Sequence, residues 1–182
     1  MNVLDTILND CYIIEPQVFE DQRGYFVETF NNQNFKAKVG IDVHFVQDNE
    51  SKSSKGVLRG LHYQRDEHSQ AKLVRVVKGK VLDVAVDIRE KSSTFGKHIA
   101  VELSGDNKRQ LFVPRGFAHG FVVLEDDTIF SYKCDNLYNK PFEAGIIFND
   151  PMLDIDWKLP EKDLIISEKD LVLPKFENAV YQ

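Results

Sequence analysis

Cysteine is scarce in this 182-residue chain, and its scarcity argues against two kinds of architecture. Cys11 and Cys134 each stand alone, and neither belongs to a C-x-x-C pair. A structural zinc site takes clustered thiolates or imidazoles at short spacing, and a disulfide scaffold takes several cysteine pairs. The sequence therefore predicts a fold that rests on its apolar core and needs no disulfide.

Long hydrophobic runs and basic runs are also missing. No apolar stretch approaches the roughly 20 residues that cross a bilayer, and Asp5 lies where a secretory signal would be basic. The net charge is −6, and the lysines and arginines are scattered. We expect a cytoplasmic protein that binds neither membrane nor nucleic acid, although a local basic pocket for an anion stays possible.

Short apolar or alternating runs separated by Gly, Asn, Asp and Pro dominate the chain, which is typical of many strands. Helical signal is confined to Asn32–Val39, with Gly40 as its end. So many strands in one domain favour a sandwich or jelly-roll barrel whose mouth can hold a small ligand. The predicted strands cover residues 12–16, 24–30, 45–50, 56–64, 71–78, 80–88, 97–104, 109–113, 118–124, 128–134 and 145–148.

Two histidines interrupt segments that otherwise have the pattern of buried strands. They are His62 in RGLHYQ and His119 in PRGFAHGF. A buried histidine must find a partner or do chemistry. Strict alternation would put Arg59 and His62 on opposite faces, so both can face one pocket only if the strand bulges at Gly60. A structural and a functional His62 are equally compatible with this segment alone.

The spacing Pro114-x-Gly-x-x-His119 resembles the second half of the cupin signature. The first half would be His-x-His, and here it is His62-Tyr63-Gln64. A catalytic metal usually takes three protein ligands. Because no good third ligand is present, we expect a cupin barrel without a metal.

Several polar residues have both a structural and a functional interpretation. Arg23 near Phe26 is a solvated strand-edge residue, or it binds phosphate beside a stacking aromatic. Lys72 is a surface lysine, or it is a cation for phosphate or for a developing enolate. Tyr132 and Tyr138 are packing residues, or one is an acid opposite a histidine base. The remaining candidates in this group are Glu28, the strand amides Gln47 and Asn49, and the polar turn 167–170.

Taken together, these segments resemble the dTDP-4-dehydrorhamnose 3,5-epimerase family over residues 21–174. The resemblance implies an all-β cupin-type double-stranded β-helix, a jelly-roll barrel with a few short helices, and a homodimer. We expect one domain over residues 1–182, with the barrel core at about 24–148 and the tail 149–182 packed on it. The matching stretches are DQRGYFVE, FVQDNESKS, GVLRGLHYQ, QAKLVRVVKGKV, DVAVDIR, STFGKHI, QLFVPRGFAHGF, YKCDNLY, FNDP and SEKD.

The same resemblance implies roles for individual residues in epimerising a nucleotide-linked 4-keto sugar without a cofactor. His62 is the implied base, paired with Asp170, and Tyr132 is the implied acid on the opposite face. Tyr138 lies nearby, and Lys72 stabilises the enolate oxygen. The implied substrate-binding positions are Arg23, Phe26, Glu28, Gln47, Asp48, Asn49, Arg59, Lys72, His119, Glu143 and Lys169.

The chain departs from the family pattern near the implied sugar site. Ala144 stands where an arginine is expected, and residues 139–142 differ from the usual loop. Three other functions therefore stay open: a single-centre 3- or 5-epimerase, a metal-dependent cupin enzyme and a non-catalytic sugar-binding cupin. The absent His-x-His counts against the metal enzyme, and the acid–base set counts against the pure binder.

Overall fold

The computed structural model describes residues 1–181, which form mainly β-strands. Two short α-helices, Asn32–Val39 (α1) and Glu168–Leu171 (α2), and four 3₁₀ turns complete the described elements. The strands, numbered in chain order, are Asn2–Asp5 (β1), Tyr12–Glu15 (β2), Val18–Asp21 (β3), Gly24–Val27 (β4), Gln47–Ser53 (β5), Val57–Gln64 (β6), Lys72–Lys78 (β7), Lys80–Asp87 (β8), His98–Ser104 (β9), Gln110–Val113 (β10), Phe117–Val123 (β11), Thr128–Cys134 (β12), Glu143–Gly145 (β13) and Ile165–Ile166 (β14).

The strands form two sheets and one separate hairpin. The first sheet has the order β1-β2-β10-β7-β12-β5, and the second has the order β13-β6-β11-β8-β9 with β14 beside β6. All pairs are antiparallel except β14 with β6. The hairpin β3–β4 belongs to neither sheet. Strands that are distant in sequence are therefore neighbours, as in a jelly roll.

Three apolar clusters hold these layers together. The facing sides of the sheets meet in the barrel interior, where Val74 and Phe130 of the first sheet pack with Val81 and Phe121 of the second. Helix α1 covers the outside of the first sheet through Phe35. The C-terminal segment covers the outside of the second sheet. Both outer faces are covered, and a cavity lies between the two sheets.

Helix α1 has the predicted bounds and the predicted end. The side chain of Asn31 accepts a hydrogen bond from the Asn34 amide and caps the first turn, and Gly40 has φ +78° and donates to the Lys36 carbonyl. Only a residue without a side chain adopts that left-handed geometry at little cost. The capping residues therefore fix the length of this helix.

Most predicted strands are confirmed, and residues 128–134 have the same bounds in the structure. The prediction of residues 145–148 is wrong, because the strand there is Glu143–Gly145. Strands β1, β3 and β14 were not predicted, since they are short and largely exposed. The first sheet includes β1 and β2, which precede residue 24. The predicted limits of the barrel core, about 24–148, stay a prediction. Within residues 1–181 we find no helix that is long and apolar enough to span a membrane.

Candidate active site

A bulge in strand β6 brings Arg59 and His62 to one cavity. His62 lies opposite His119 on β11, and Arg59 lies opposite Phe121, so β6 contains one more residue than its partner between these pairs. Gly60 occupies the bulge with φ +122°, and a Cβ there would lie 2.5 Å from the Gly120 Cα. Only glycine fits this position. The predicted bulge is confirmed.

Two adjoining cavities open between the sheets. The larger has a volume of about 540 Å³ and the smaller about 270 Å³, which suits a small-molecule ligand. The candidate residues at the larger cavity are Arg59, His62, Lys72, His119, Tyr132, Glu143, Lys169 and Asp170. The smaller cavity shares His62, Lys72, Tyr132 and Glu143 and adds Gln47, Asn49 and Tyr138.

His62 and Asp170 form a close pair at the larger cavity. The His62 Nε2 lies 2.7 Å from the Asp170 Oδ1, and the Asp170 side chain is 3% exposed. Asp170 lies on α2, whose first turn is capped by the Ser167 side chain. An ionised carboxylate only accepts hydrogen bonds, so Nε2 carries the proton and Nδ1 is the basic nitrogen. The segment 167–170 is therefore not only a surface turn, because it contributes Asp170 to the site.

The environment of Asp170 favours its ionised form. Burial acts to raise its pKa, but the hydrogen bond and charge of His62 and the Gly60 amide outweigh burial, so the pKa is lowered from its ordinary value. The Gly60 amide lies 3.5 Å from the Asp170 Oδ2. The bulge that opens the cavity therefore also contacts the carboxylate that orients His62.

A second pair, His119 with Asp83, lies deeper in the barrel. The His119 Nε2 lies 2.9 Å and 3.0 Å from the two Asp83 carboxylate oxygens. The Asp83 side chain is fully buried. Asp83 is not among the site residues predicted from the sequence. A signal was present, because period-two alternation in β8 places this aspartate on the same face as the core residues Val81 and Ala85.

Lys72 and Tyr132 lie on adjacent strands of the first sheet, beside the cavity. Lys72 pairs with Cys134 in the β7–β12 register, and Tyr132 precedes Cys134 by two residues on the same face. Burial lowers the pKa of Lys72 and raises the pKa of Tyr132. Tyr132 therefore keeps its proton at neutral pH and can donate it.

A polar chain crosses the rim of the cavity. The Tyr138 hydroxyl donates to the Glu143 carboxylate at 3.0 Å, and the Lys169 Nζ donates to the other oxygen at 3.1 Å. Burial acts to raise the pKa of Glu143, but Lys169 and Tyr138 outweigh it and the pKa is lowered. The rim thus joins three of the predicted residues from separate parts of the chain.

Four predicted binding residues lie outside both cavities. Arg23 contacts Asp21 on the exposed β3–β4 hairpin, and Phe26 on the same hairpin is 69% exposed. Glu28 accepts hydrogen bonds from two asparagines beside α1. Asp48 faces away from the cavity and pairs with Lys133. The structure of one chain does not bring these four to His62, and their binding roles stay predictions.

Metal-ligating side chains do not cluster in the part of the chain that the structure describes. Among residues 1–181 no group of three His, Cys, Asp or Glu side chains is arranged to hold a metal ion.

Comparisons with known proteins identify the family of this chain. The family model of dTDP-4-dehydrorhamnose 3,5-epimerase matches residues 5–178. A dTDP-4-dehydrorhamnose 3,5-epimerase of Shigella flexneri is 54% identical over 181 residues, which covers 100% of this chain and 99% of that protein. The crystal structure of dTDP-4-dehydrorhamnose 3,5-epimerase from Elizabethkingia anophelis has a TM-score of 0.94 at 60% identity and covers 98% of this chain and 97% of that one.

A further crystal structure is that of dTDP-6-deoxy-D-glucose-3,5-epimerase from Legionella pneumophila in complex with dTDP-4-keto-L-rhamnose. It has a TM-score of 0.93 at 47% identity and covers 97% of this chain and 93% of that one.

The barrel and its cavity are those of a cupin-type epimerase. The predicted fold class, a cupin-type jelly-roll barrel, is confirmed. A histidine–aspartate pair, a tyrosine and a lysine surround one cavity at the mouth of a jelly roll. The chain belongs to the dTDP-4-dehydrorhamnose 3,5-epimerase family, and it is an isomerase.

Proposed function

We propose that this chain converts dTDP-4-dehydro-6-deoxy-D-glucose to dTDP-4-dehydro-L-rhamnose by inverting C3 and C5. The 2.7 Å contact between the His62 Nε2 and the Asp170 Oδ1 carries the proposal, because it gives a basic nitrogen in a cavity that also contains Tyr132 and Lys72. Family membership supports the nucleotide and the sugar.

The chemistry needs a base, an acid and a cation. Hydrogens at C3 and C5 are acidic because the enolate places its charge on the C4 oxygen. The His62 Nδ1 removes the proton as the enolate forms, and Asp170 stabilises the imidazolium. Lys72 donates most strongly when the oxyanion develops. Tyr132 then returns a proton to the opposite face, which inverts the centre, and proton exchange with water restores neutral His62 and protonated Tyr132 before the second centre reacts.

Cations at the larger cavity account for diphosphate binding by an acidic protein. Arg59 lies on the bulge, and Lys169 lies on α2. Arginine can bind phosphate oxygens in a bidentate way, and His119 lines the same cavity. Gln47 and Asn49 line the smaller cavity and are the binding candidates on that side.

We also propose that the chain acts as a homodimer. Arg23, Phe26 and Glu28 are implied to bind the nucleotide, yet one chain holds them on or beside a hairpin away from His62. Phe19 and Phe26 on that hairpin are 53% and 69% exposed, and exposed aromatic side chains are typical of interfaces. A second copy that receives the hairpin would bring these residues to its cavity. Sedimentation at several protein concentrations tests this, and a monomer at all of them would contradict it.

The proposed setting is the cytoplasm, in deoxysugar synthesis for polysaccharides such as lipopolysaccharide O-antigen. The nucleotide-linked substrate and the family support this setting.

Solvent exchange tests the proposed reaction. Purified protein is incubated with dTDP-4-keto-6-deoxyglucose in D2O without added metal or nicotinamide cofactor, and NMR follows deuterium at each carbon. Deuterium at C3 and C5 is expected. Deuterium at one carbon would indicate the single-centre epimerase instead. Exchange only after metal addition would indicate a metal enzyme, and binding without exchange would indicate a sugar-binding protein.

A further inference from the structure

Strand β5 faces the barrel with a row of polar side chains. Period-two alternation places four of its residues on one face, and these four are less exposed than the residues between them. They are Gln47, Asn49, Ser51 and Ser53. The first three line the two cavities, whereas Ser53 is 9% exposed and lines neither of them. The buried hydroxyl of Ser53 therefore needs an explanation other than direct ligand contact.

Backbone hydrogen bonds hold Ser53 and the turn after it in place. Ser53 pairs with Thr128 in the β5–β12 register. In the turn that leads to β6, the Gly56 amide donates to the Val123 carbonyl at 2.9 Å. The Ser53 hydroxyl therefore has a fixed position where the chain passes from the first sheet to the second.

The partner of this hydroxyl is Arg59. The Arg59 Nη2 donates to the Ser53 Oγ at 3.3 Å. Ser53 belongs to the first sheet and Arg59 to the second, so the bond joins the two sheets beside the larger cavity. Within residues 1–181 it is the one hydrogen bond that the Arg59 guanidinium makes. Ser53 is thus the contact that orients this cation.

The neutral partner distinguishes Arg59 from several other arginines of the chain. Four arginines form ion pairs with carboxylates, namely Arg23, Arg89, Arg109 and Arg115. Among the described residues no such ion pair includes Arg59. A carboxylate would neutralise the guanidinium and compete with phosphate for its N–H donors, whereas a hydroxyl accepts one hydrogen bond without charge. Arg59 therefore keeps its charge and its other donors for an anionic ligand.

Orientation of Arg59 before the ligand arrives lowers the cost of binding. A free arginine side chain loses rotamer freedom when a ligand immobilises it, and a side chain that is already directed loses less. The planar guanidinium must also be aligned to bind phosphate oxygens in a bidentate way. Because the diphosphate is bound in the substrate and in the transition state alike, the gain should appear in KM and not in kcat.

We propose that Ser53 is a positioning residue that orients Arg59 for diphosphate binding. This inference rests on the proposed function, in which Arg59 binds the diphosphate of the nucleotide sugar. Ser53 acts on the ligand through Arg59, since it lines neither cavity. Its effect should therefore vanish when the Arg59 guanidinium is absent.

The test is a double-mutant cycle with a matched control. Ser53→Ala removes the hydroxyl, and Arg59→Ala removes the guanidinium. Ser104→Ala is the control, because Ser104 is also buried and its hydroxyl accepts from the Asn107 amide at 2.9 Å, away from both cavities. Steady-state kinetics, melting temperatures and calorimetry with dTDP and with inorganic pyrophosphate are measured for each variant and for the double variant.

Ser53→Ala is expected to weaken the binding of dTDP and of pyrophosphate about fivefold and to raise KM by a similar factor, with kcat changed less than about twofold. In the Arg59→Ala protein the same change should have no further effect on KM. Ser104→Ala should lower the melting temperature alone. An equal effect of Ser53→Ala on KM with and without Arg59, or equal KM in Ser53→Ala and Ser104→Ala, would overturn the proposal.

Two further substitutions separate the hydroxyl from its charge and size. Ser53→Thr keeps the hydroxyl and should bind pyrophosphate within about twofold of the wild-type protein. Ser53→Asp supplies a charged acceptor, which should compete for the guanidinium and weaken pyrophosphate binding more than Ser53→Ala does. Wild-type affinity in Ser53→Asp would contradict the role of a neutral acceptor.

Pyrophosphate binding separates this proposal from the proposed reaction. Ser53→Ala should weaken that binding whatever the activity of the protein. Absence of turnover in the wild-type protein, with pyrophosphate binding that depends on Ser53, would reject the proposed function only. Normal turnover in the wild-type protein, with unchanged pyrophosphate affinity in Ser53→Ala, would reject the role of Ser53 only.

Discussion

His62 and His119 face each other on neighbouring strands, and each bonds an aspartate, but the two pairs are built differently. His62 is 25% exposed at its side chain and bonds one oxygen of Asp170, which lies 108 residues further along the chain. His119 is 7% exposed and bonds both oxygens of Asp83, which lies on an adjacent strand of the same sheet. The first pair is open to the cavity, whereas the second is nearly enclosed and only its His119 lines the cavity.

This difference in exposure indicates how a histidine–aspartate pair can serve two purposes in one protein. A proton-transfer group must reach the substrate and change its charge during turnover, which suits the partly exposed His62. A histidine enclosed with a buried carboxylate is a fixed donor, because separating the two would leave an unpaired charge in the core. We therefore expect His62 to govern catalysis and His119 to govern binding.

The largest effect is expected from His62→Ala. Without the base, kcat should fall at least about 10³-fold. The nucleotide affinity should stay within about twofold, since the diphosphate contacts are elsewhere. Turnover assays and calorimetry with dTDP measure the two quantities. Residual turnover together with a large loss of dTDP affinity would contradict the role of base.

Asp170→Asn should act on the same step with a somewhat smaller effect. The amide can no longer stabilise the imidazolium or fix its tautomer, so kcat should fall about 10²- to 10³-fold with KM nearly unchanged. A matched control is Ser167→Ala, which removes the helix cap but keeps the carboxylate. If Ser167→Ala lowers kcat as much as Asp170→Asn, the loss comes from displacement of α2.

Asp83→Asn should show the opposite pattern. His119 loses its charged partner, so we expect KM to rise about 10-fold and kcat to change less than about threefold. The melting temperature should also fall, because the carboxylate is fully buried. A selective loss of kcat would mean that the two pairs have similar functions and that the contrast between them is wrong.

The smallest expected effect is a shift of the alkaline limb in the pH profile of kcat/KM. Burial lowers the pKa of Lys72, and the charges of Cys134, Asp83 and Glu143 partly oppose burial. As pH rises, Lys72 loses its proton below the ordinary lysine value of about 10.4, and oxyanion stabilisation is lost. Asp83→Asn removes one opposing charge and should move the limb of kcat/KM to lower pH. Asp170→Asn should leave it in place, and equal shifts in both variants would contradict this assignment.

Local patterns account for much of the fold and for the opening of the cavity. A short alternating or apolar run predicted β12, Gly40 predicted the end of α1, and Gly60 predicted the bulge, because each signal lies within a few neighbouring residues. Contacts between side chains on strands that are distant in sequence have no such local signal. The bond between His119 and Asp83 therefore emerged only from the structure.

The resemblance and the structure also contribute different information about the site. The resemblance implied Asp170 as the partner of His62, and the structure shows their contact. It also implied Arg23 as a binding residue, but the hairpin that carries Arg23 lies away from the cavity of its own chain. The proposed homodimer would bring that hairpin to the cavity of a second copy.

The contrast between the two histidines is tested most directly by solvent exchange in His62→Ala and His119→Ala. Both proteins are incubated in D2O with saturating nucleotide sugar, and NMR gives the rate of deuterium uptake at C3 and C5. Deuterium uptake close to the wild-type rate is expected in His119→Ala, and no uptake is expected in His62→Ala. Normal uptake in His62→Ala, or equal loss in both variants, would contradict it.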